Sequence, residues 1–411
     1  MKLWCKLLGA ARALSGISDS VSIVHSRPGC HNGMFYLRTL GSNQNDIRIV
    51  GSGFQAHDAI YGGEEKLANV IRLSYENFKP SLIAVLNCSA PVLMGADIEG
   101  IVYEMKEEIP AEIIALSTGG YEGPAWMGYE ETLAELTRFM VSCEDPSDSK
   151  INLIGCKQDD VKADSDLLEI KRMLNSHEIS INTVLTNSSF EKITNAPKAS
   201  LNVVLGGDGL ECAKVMQEKF GTPYVITSYP YGLDNSINFL KRVTTGLNKE
   251  VNKEFIASEK EWIKKRIEKV YFFLHGICGM SVAVIGDSSH AFDLSRFLSD
   301  ELCLDVKVLA ITSRNHVSQS RADDDYFEML LIEPDRFRMN EIVKSKGIEM
   351  IFGSSLEKKL AYELNVPLIR TFYPVFDGVS ISDSPYAGFK GVINLAETII
   401  NSVINNYTEV E

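Results

Sequence analysis

Short apolar runs recur along the chain, and longer stretches with helical spacing separate them. Residues 82–86 and 113–116 are apolar throughout, residues 21–24 alternate β-branched and small side chains, and residues 47–50 are apolar but for Arg48, the pattern of short buried strands. Between them, residues 67–78 and 98–108 place apolar side chains three and four apart, which predicts amphipathic helices. The alternation continues, with strands expected at 151–154, 181–185, 201–205, 224–227, 282–285, 306–311, 349–352 and 366–369. Helices are expected at 168–175, 212–220, 291–301 and 388–407, and one long charged helix at 247–276. Strands joined by helical segments imply βαβ units and parallel sheets.

The polar segment 144–150 (EDPSDSK) interrupts this rhythm and marks a first boundary. The charged stretch from residue 247 marks a second. The expected organisation is α/β, with three Rossmann-like doubly wound domains over residues 1–147, 148–246 and 247–411, the last comprising a helical connector, an α/β domain and a C-terminal helix.

One stretch stands out. Residues 21–35 (VSIVHSRPGCHNGMF) read as a strand, a tight turn through Pro28, Gly29 and Gly33, and a helix from Met34, with Cys30 on the turn. A thiol beside a helix N-terminus has its thiolate stabilised by unpaired N–H groups and the dipole. Cys5 opens an apolar helix-like run, and Cys88 ends the strand at 82–86. A thiolate so placed can bind metal or act as a nucleophile, and spacing alone leaves both open.

Composition narrows the classes. With 41 basic and 55 acidic residues the net charge is −14, which argues against a nucleic-acid binder. The first fourteen residues (MKLWCKLLGAARAL) are broken by Lys6 and Arg12, so neither a signal sequence nor a membrane span is expected. A cytoplasmic protein follows, whose eight cysteines are free thiols or metal ligands. Cys143, Cys156, Cys212, Cys278 and Cys303 are expected to be inert, buried small hydrophobes. The glycine turns at Gly206-Gly207, Gly286-Asp287 and Gly353-Ser354 lack a full phosphate-binding fingerprint and read as tight βα turns. His25, His31 and His57 read as structural. Zinc-protease, dithiol-redox and acyl-transfer motifs are absent from the sequence.

Residues 5–10 (CKLLGA), 24–30 (VHSRPGC), 57–63 (HDAIYGG) and 87–97 (NCSAPVLMGAD) resemble, in order, segments of the nitrogenase component 1 superfamily. Gly286-Asp287, 352–355 (FGSS) and 386–393 (YAGFKGVI) extend the resemblance to the third block. The resemblance implies that Cys5, Cys30 and Cys88 ligate an iron–sulfur cluster at a subunit interface, either [4Fe–4S] or P-cluster-like [8Fe–7S]. It implies that Gly29 and Gly95 let backbone approach that cluster.

It also implies a subtype. Gly120 falls where the nitrogenase β subunit carries a serine that can join the ligands. The α subunit's catalytic cofactor needs a cysteine and a histidine where this chain has Leu205 and Gly378. Residues 373–377 (YPVFD) resemble the β-type subunit. The long N-terminal extension of nitrogenase β subunits is absent from the sequence, and dinitrogen fixation is not the expected main activity.

The resemblance therefore implies a β-type subunit of a nitrogenase-like reductase, paired with a homologous α-type subunit as α2β2. An ATP-dependent iron–sulfur reductase component would supply electrons. Methylthio-alkanes, tetrapyrroles and small multiply bonded molecules are candidate substrates. A scaffold for metal-cluster assembly is the alternative, and an α/β binding protein without a cluster the plainer one. Neither nucleic acid nor membrane is expected as a partner.

Overall fold

The computed structural model describes residues 5–40, 48–322 and 326–408. Three parallel sheets form the frame. The first has order β2-β1-β3-β4, from β1 (Ser20–His25), β2 (Ile49–Gly51), β3 (Leu82–Asn87) and β4 (Glu112–Ser117). β1 and β3 are buried along their whole length because helices cover both faces. On one face Val21, Ile23, Ile83 and Val85 pack with Leu67 and Ile71 of α4 (Glu64–Phe78) and Ile101 and Met105 of α6 (Ile98–Glu108). On the other, Val24, Ala84 and Leu86 pack with α1 (Lys6–Ser15) and α7 (Ala125–Leu136). Helices α2 (Pro28–Leu40), α3 (Ala56–Tyr61) and α5 (Ser89–Leu93) follow β1, β2 and β3.

The second sheet has order β6-β5-β7-β8, from β5 (Ser147–Ile154), β6 (Ser180–Val184), β7 (Ala199–Leu205) and β8 (Tyr224–Thr227). Its helices are α8 (Ala163–Asn175), α9 (Phe190–Thr194), α10 (Leu210–Phe220) and α11 (Gly232–Gly246). The third sheet, order β11-β10-β9-β12-β13, contains β9 (Ser281–Asp287), β10 (Asp305–Ser313), β11 (Leu330–Ile332), β12 (Met350–Gly353) and β13 (Leu368–Arg370). Helices α12 (Lys253–Ile267) and α13 (Tyr271–Ile277) lead into it. Its crossovers are α14 (Ser288–Arg296), α15 (Ser318–Ala322), α16 (Arg336–Ser345) and α17 (Lys358–Leu364), and α18 (Gly388–Thr408) closes the chain. One continuous core joins the second and third sheets, and another joins the first and second. Among the described residues, no helix is long and apolar enough to cross a membrane.

Four of the expected elements differ in the structure. Helix α2 begins at Pro28, not Met34, so Cys30 lies in its first turn. Proline suits the first helical position, where its missing N–H is no loss. The helix expected over 247–276 is broken twice. Asn248 turns to φ +53, Asn252 caps α12 by accepting from Phe255 N–H at 3.0 Å, and a 3₁₀ turn over 268–270 separates α12 from α13. Strand β5 starts at Ser147, inside the polar segment expected to be a linker. The expected strand at 47–50 is seen as Ile49–Gly51, and Ile47 lies outside the described residues.

Candidate functional site

The carboxyl edge of the first sheet gathers the three cysteines. Cys30 sits in the first turn of α2, with its N–H donating to Arg27 C=O at 3.2 Å. Cys88 is the N-cap residue of α5 and Cys5 that of α1, both extended at ψ 176° and 168°. Neither side chain caps its helix, so both thiols remain available. Cys5 is fixed from behind by a backbone bridge to Pro124 and by Lys6 N–H donating to Gly123 C=O at 3.0 Å.

Cys30 and Cys88 meet. The Cys88 S–H donates to Leu86 C=O at 3.7 Å, and the neighbouring Cys88 side chain pushes the Cys30 thiol down to about 6, with further help from the Ser26 hydroxyl. The Cys30 side chain, together with burial, pushes Cys88 up. Cys5 joins them through Gly120. The Gly120 N–H donates to Ser89 Oγ at 2.8 Å, and a Cβ at Gly120 would lie 3.9 Å from Cys5 Sγ. Glu122 holds this loop by accepting from Ser117 Oγ at 2.8 Å and Gly119 N–H at 3.0 Å, with Lys6 Nζ 3.6 Å away. The three thiols do not close round a single ion: among the described residues, no group of three or more His, Cys, Asp or Glu does so. Their spread suits a polynuclear group that distributes its ligands over several metal atoms.

A Cβ at Gly29 or Gly95 would meet nothing within 4 Å, and Gly95 has φ +72. Leu93 (71% exposed), Met94 (59%) and Tyr121 (58%) stand beside the thiols with their apolar surface in solvent. Each of the three histidines contacts another residue of the chain. Buried His25 pairs with Ser52 Oγ at 2.9 Å, and burial pushes it down to about 4. His31 packs over Gly51, and His57 stacks on Tyr61 at 4.6 Å. Ser26 and Ser89 went unremarked in the sequence; their one signal is adjacency to the cysteine turns.

A second polar centre, unforeseen from sequence, lies where the second and third sheets meet. Buried Lys157 pairs with Asp208, and its Nζ is 3.4 Å from Ser289 Oγ. Asn315 Nδ2 donates to Asp208 Oδ1 at 2.7 Å and to Gly206 C=O at 2.9 Å. His290 Nδ1 pairs with Asp287 at 2.9 Å, and its Nε2 lies 3.7 Å from Asp160. Arg12 of α1 binds Asp159 and Asp160 and stacks 4.1 Å over the Tyr373 ring. Burial alone would lower Lys157, but Asp208, Asp287 and Asp160 raise it, so the ammonium is retained. Leu205 is fully buried at the end of β7, and a Cβ at Gly206 would collide with the Ser289 backbone. Gly378 is exposed, beside Val375 and Arg370. The glycine turns at 206, 286 and 353 are packed by Ser289, Phe372 and Glu357 of the chain itself.

The remaining cysteines divide. Cys212 is buried and Cys143 and Cys156 are half-buried, whereas Cys278 and Cys303 are exposed, against the expectation of burial.

The family model for nitrogenase component 1 type oxidoreductases matches residues 5–404. The nitrogenase molybdenum-iron protein beta chain of Methanococcus maripaludis is 24% identical, over 99% of this chain and 94% of the relative. The nitrogenase iron-molybdenum cofactor biosynthesis protein NifE of Clostridium pasteurianum is also 24% identical, over 98% and 88%. The solved structure of nitrogenase Cp1 at pH 6.5 superposes with a TM-score of 0.84 at 20% identity, covering 98% of this chain and 93% of that one.

Proposed function

The chain belongs to the nitrogenase component 1 type oxidoreductase family, and on that premise we propose that it is the β-type subunit of a nitrogenase-like reductase complex. The observation that carries this reading is the convergence of three thiols from three helix N-termini on one sheet edge. Cys5, Cys30 and Cys88 would hold an iron–sulfur cluster, [4Fe–4S] or P-cluster-like [8Fe–7S], shared with a homologous α-type subunit. The donor set fits: soft sulfur ligands, Cys30 and Cys88 side by side, with open space over Gly29 and Gly95.

Bound there, the cluster supplies reversible electron transfer. The chain's own part is to present ligands and exclude water. Cys30 is poised as a thiolate near neutral pH, whereas Cys88 must release its proton on ligation. Leu93, Met94 and Tyr121 would be covered by the α-type partner, drying the site. The filled junction around Lys157 and Asp208, with Leu205 where the family register asks for a thiolate, supports placing substrate chemistry in that partner. An ATP-dependent iron–sulfur reductase component is the proposed electron donor. The proposed domains are 1–147, 148–246 and 247–411, and the proposed compartment is the cytoplasm.

The test is metal content and co-purification without oxygen. Brown protein with several irons per chain is expected, with an α-type chain beside it. Cys30→Ala should strip or convert the cluster, and chelation should weaken association, because metal stabilises the assembled form. Equal iron in Cys30→Ala and the parent would sink the assignment. Transfer of the cluster to an acceptor apoprotein, without turnover, would favour an assembly scaffold.

A further inference from the structure

Two thiols of the third sheet lie outside the site described above. Cys278 ends α13, its N–H donating to Leu274 C=O at 3.1 Å. Cys303 follows a π turn over residues 297–301 that continues α14. Gly279 N–H donates to Cys303 C=O at 2.7 Å, and Asp305 N–H to Met280 C=O at 2.9 Å. These bonds lace together the segments that enter β9 and β10 and place the Cys278 and Cys303 side chains beside each other. Both side chains are exposed. Cys303 is held at φ +57, in the left-handed region that residues with a Cβ seldom adopt. A Cβ at Gly276 or Gly279 would meet nothing within 4 Å, so a small reagent can reach the pair and the loop has room to adjust.

We propose that Cys278 and Cys303 form a redox-active dithiol that a low-molecular-weight disulfide converts to an intramolecular disulfide. One protein thiolate attacks the reagent disulfide, forming a mixed disulfide and releasing one reagent thiolate. The second protein thiolate attacks the protein sulfur of that mixed disulfide and releases the other. Two protein thiols and one reagent disulfide become one protein disulfide and two reagent thiols. Two electrons pass to the reagent, and the two protons leave with its thiols. Cysteines on turns already joined by a backbone bond need little movement to come within disulfide reach. In a reducing compartment the pair rests as the dithiol. Oxidation fastens α13, with its exposed Tyr271, Phe272 and Phe273, to the turn that precedes β10. The pair belongs to the third sheet and shares no residue with the thiols of the first, so it stands whether or not those bind iron.

The experiment treats the purified anaerobic protein, with whatever partner accompanies it, with oxidised glutathione. Remaining thiols are then alkylated and tryptic peptides weighed. Cleavage at Arg296 separates the two cysteines, so a disulfide appears as two joined peptides lighter by two hydrogen atoms. The expected result is that linkage, reversed by a dithiol reductant, with iron content unchanged. Cys278→Ser should abolish the linkage and leave Cys303 as a mixed disulfide or a free thiol. Alkylation of both cysteines in the treated parent protein, or two separate glutathione adducts, would overturn the proposal without reliance on any variant.

Discussion

The thiol edge of the first sheet and the junction of the second and third sheets are both built from turns that follow parallel strands, yet only one is finished. At the junction Lys157 has Asp208, His290 has Asp287, Arg12 has Asp159, and Gly206 leaves no room for a Cβ. At the edge Cys30 and Cys88 lie side by side with opposed shifts in acidity, Gly29 and Gly95 face open space, and Leu93 and Met94 lie in water. The contrast separates two tasks. The junction turns its polar groups on one another and fixes the sheets; the edge leaves its thiols beside open space and exposed apolar side chains.

The sharpest way to break this division is at Lys157. Lys157→Met leaves Asp208 buried without its counter-ion, which should cost about 3–5 kcal/mol in urea denaturation. Iron per folded chain should stay at the parental level. The exposed Cys30→Ala should do the reverse: metal lost, and apo-protein stability within about 0.5 kcal/mol. A Lys157 variant of parental stability would erase the distinction.

The same division explains what could be read from sequence. The central strands were legible because burial on both faces leaves apolar runs, as at Leu82–Asn87, whereas the partly exposed edge strand β11 was not. Helix α16 was not, because only Met339 and Val343 of its residues are buried amid charge. Helix α7 escaped because Gly128 and its aromatic residues blur a pattern that α1 and α10 complete by packing against it. The thiol edge was legible through family resemblance; spacing alone was weak. The junction was opaque, since Lys157, Asp208, Ser289 and Asn315 are joined only by topology. Cys278 and Cys303 were opaque for the same reason.

A second probe of the junction uses pH. Asp166 accepts from Tyr386 N–H at 2.6 Å, Ala387 N–H at 2.9 Å and Tyr229 OH at 3.0 Å. Burial nevertheless pushes it up to about 7. Its folded value exceeds the unfolded one, so the folded state holds the proton more tightly. The stability this gives is full below about pH 4 and lost as pH rises through about 7. Asp166→Asn, neutral at every pH, should flatten that decline in denaturation curves. Asp166→Ala strands three donors and should cost about 3 kcal/mol. A parental slope in the Asn variant would remove Asp166 from the account.

The smallest effect on stability is expected at the edge. A Cβ at Gly120 would sit 3.5 Å from Cys5 Cβ and Ser89 Oγ, ordinary contact distances. Gly120→Ser should therefore change stability by less than about 0.5 kcal/mol, while its hydroxyl beside Cys5 alters the electron paramagnetic resonance spectrum of the oxidised, iron-loaded protein. An unchanged spectrum would show that the edge is closed to a further oxygen ligand.

Helices α1 and α7 touch backbone to backbone. A Cβ at Gly9 would fall inside the carbonyl of Ala125, and one at Gly128 inside the carbonyl of Lys6. Neither glycine bears a reactive atom, yet together they act as a gauge block for Cys5. A methyl group at either would wedge the helices apart by its own width and carry the thiol out of register with Cys88. The tolerance of the thiol edge is thus set one helical turn inside the protein, where two missing side chains fix the reach of a third.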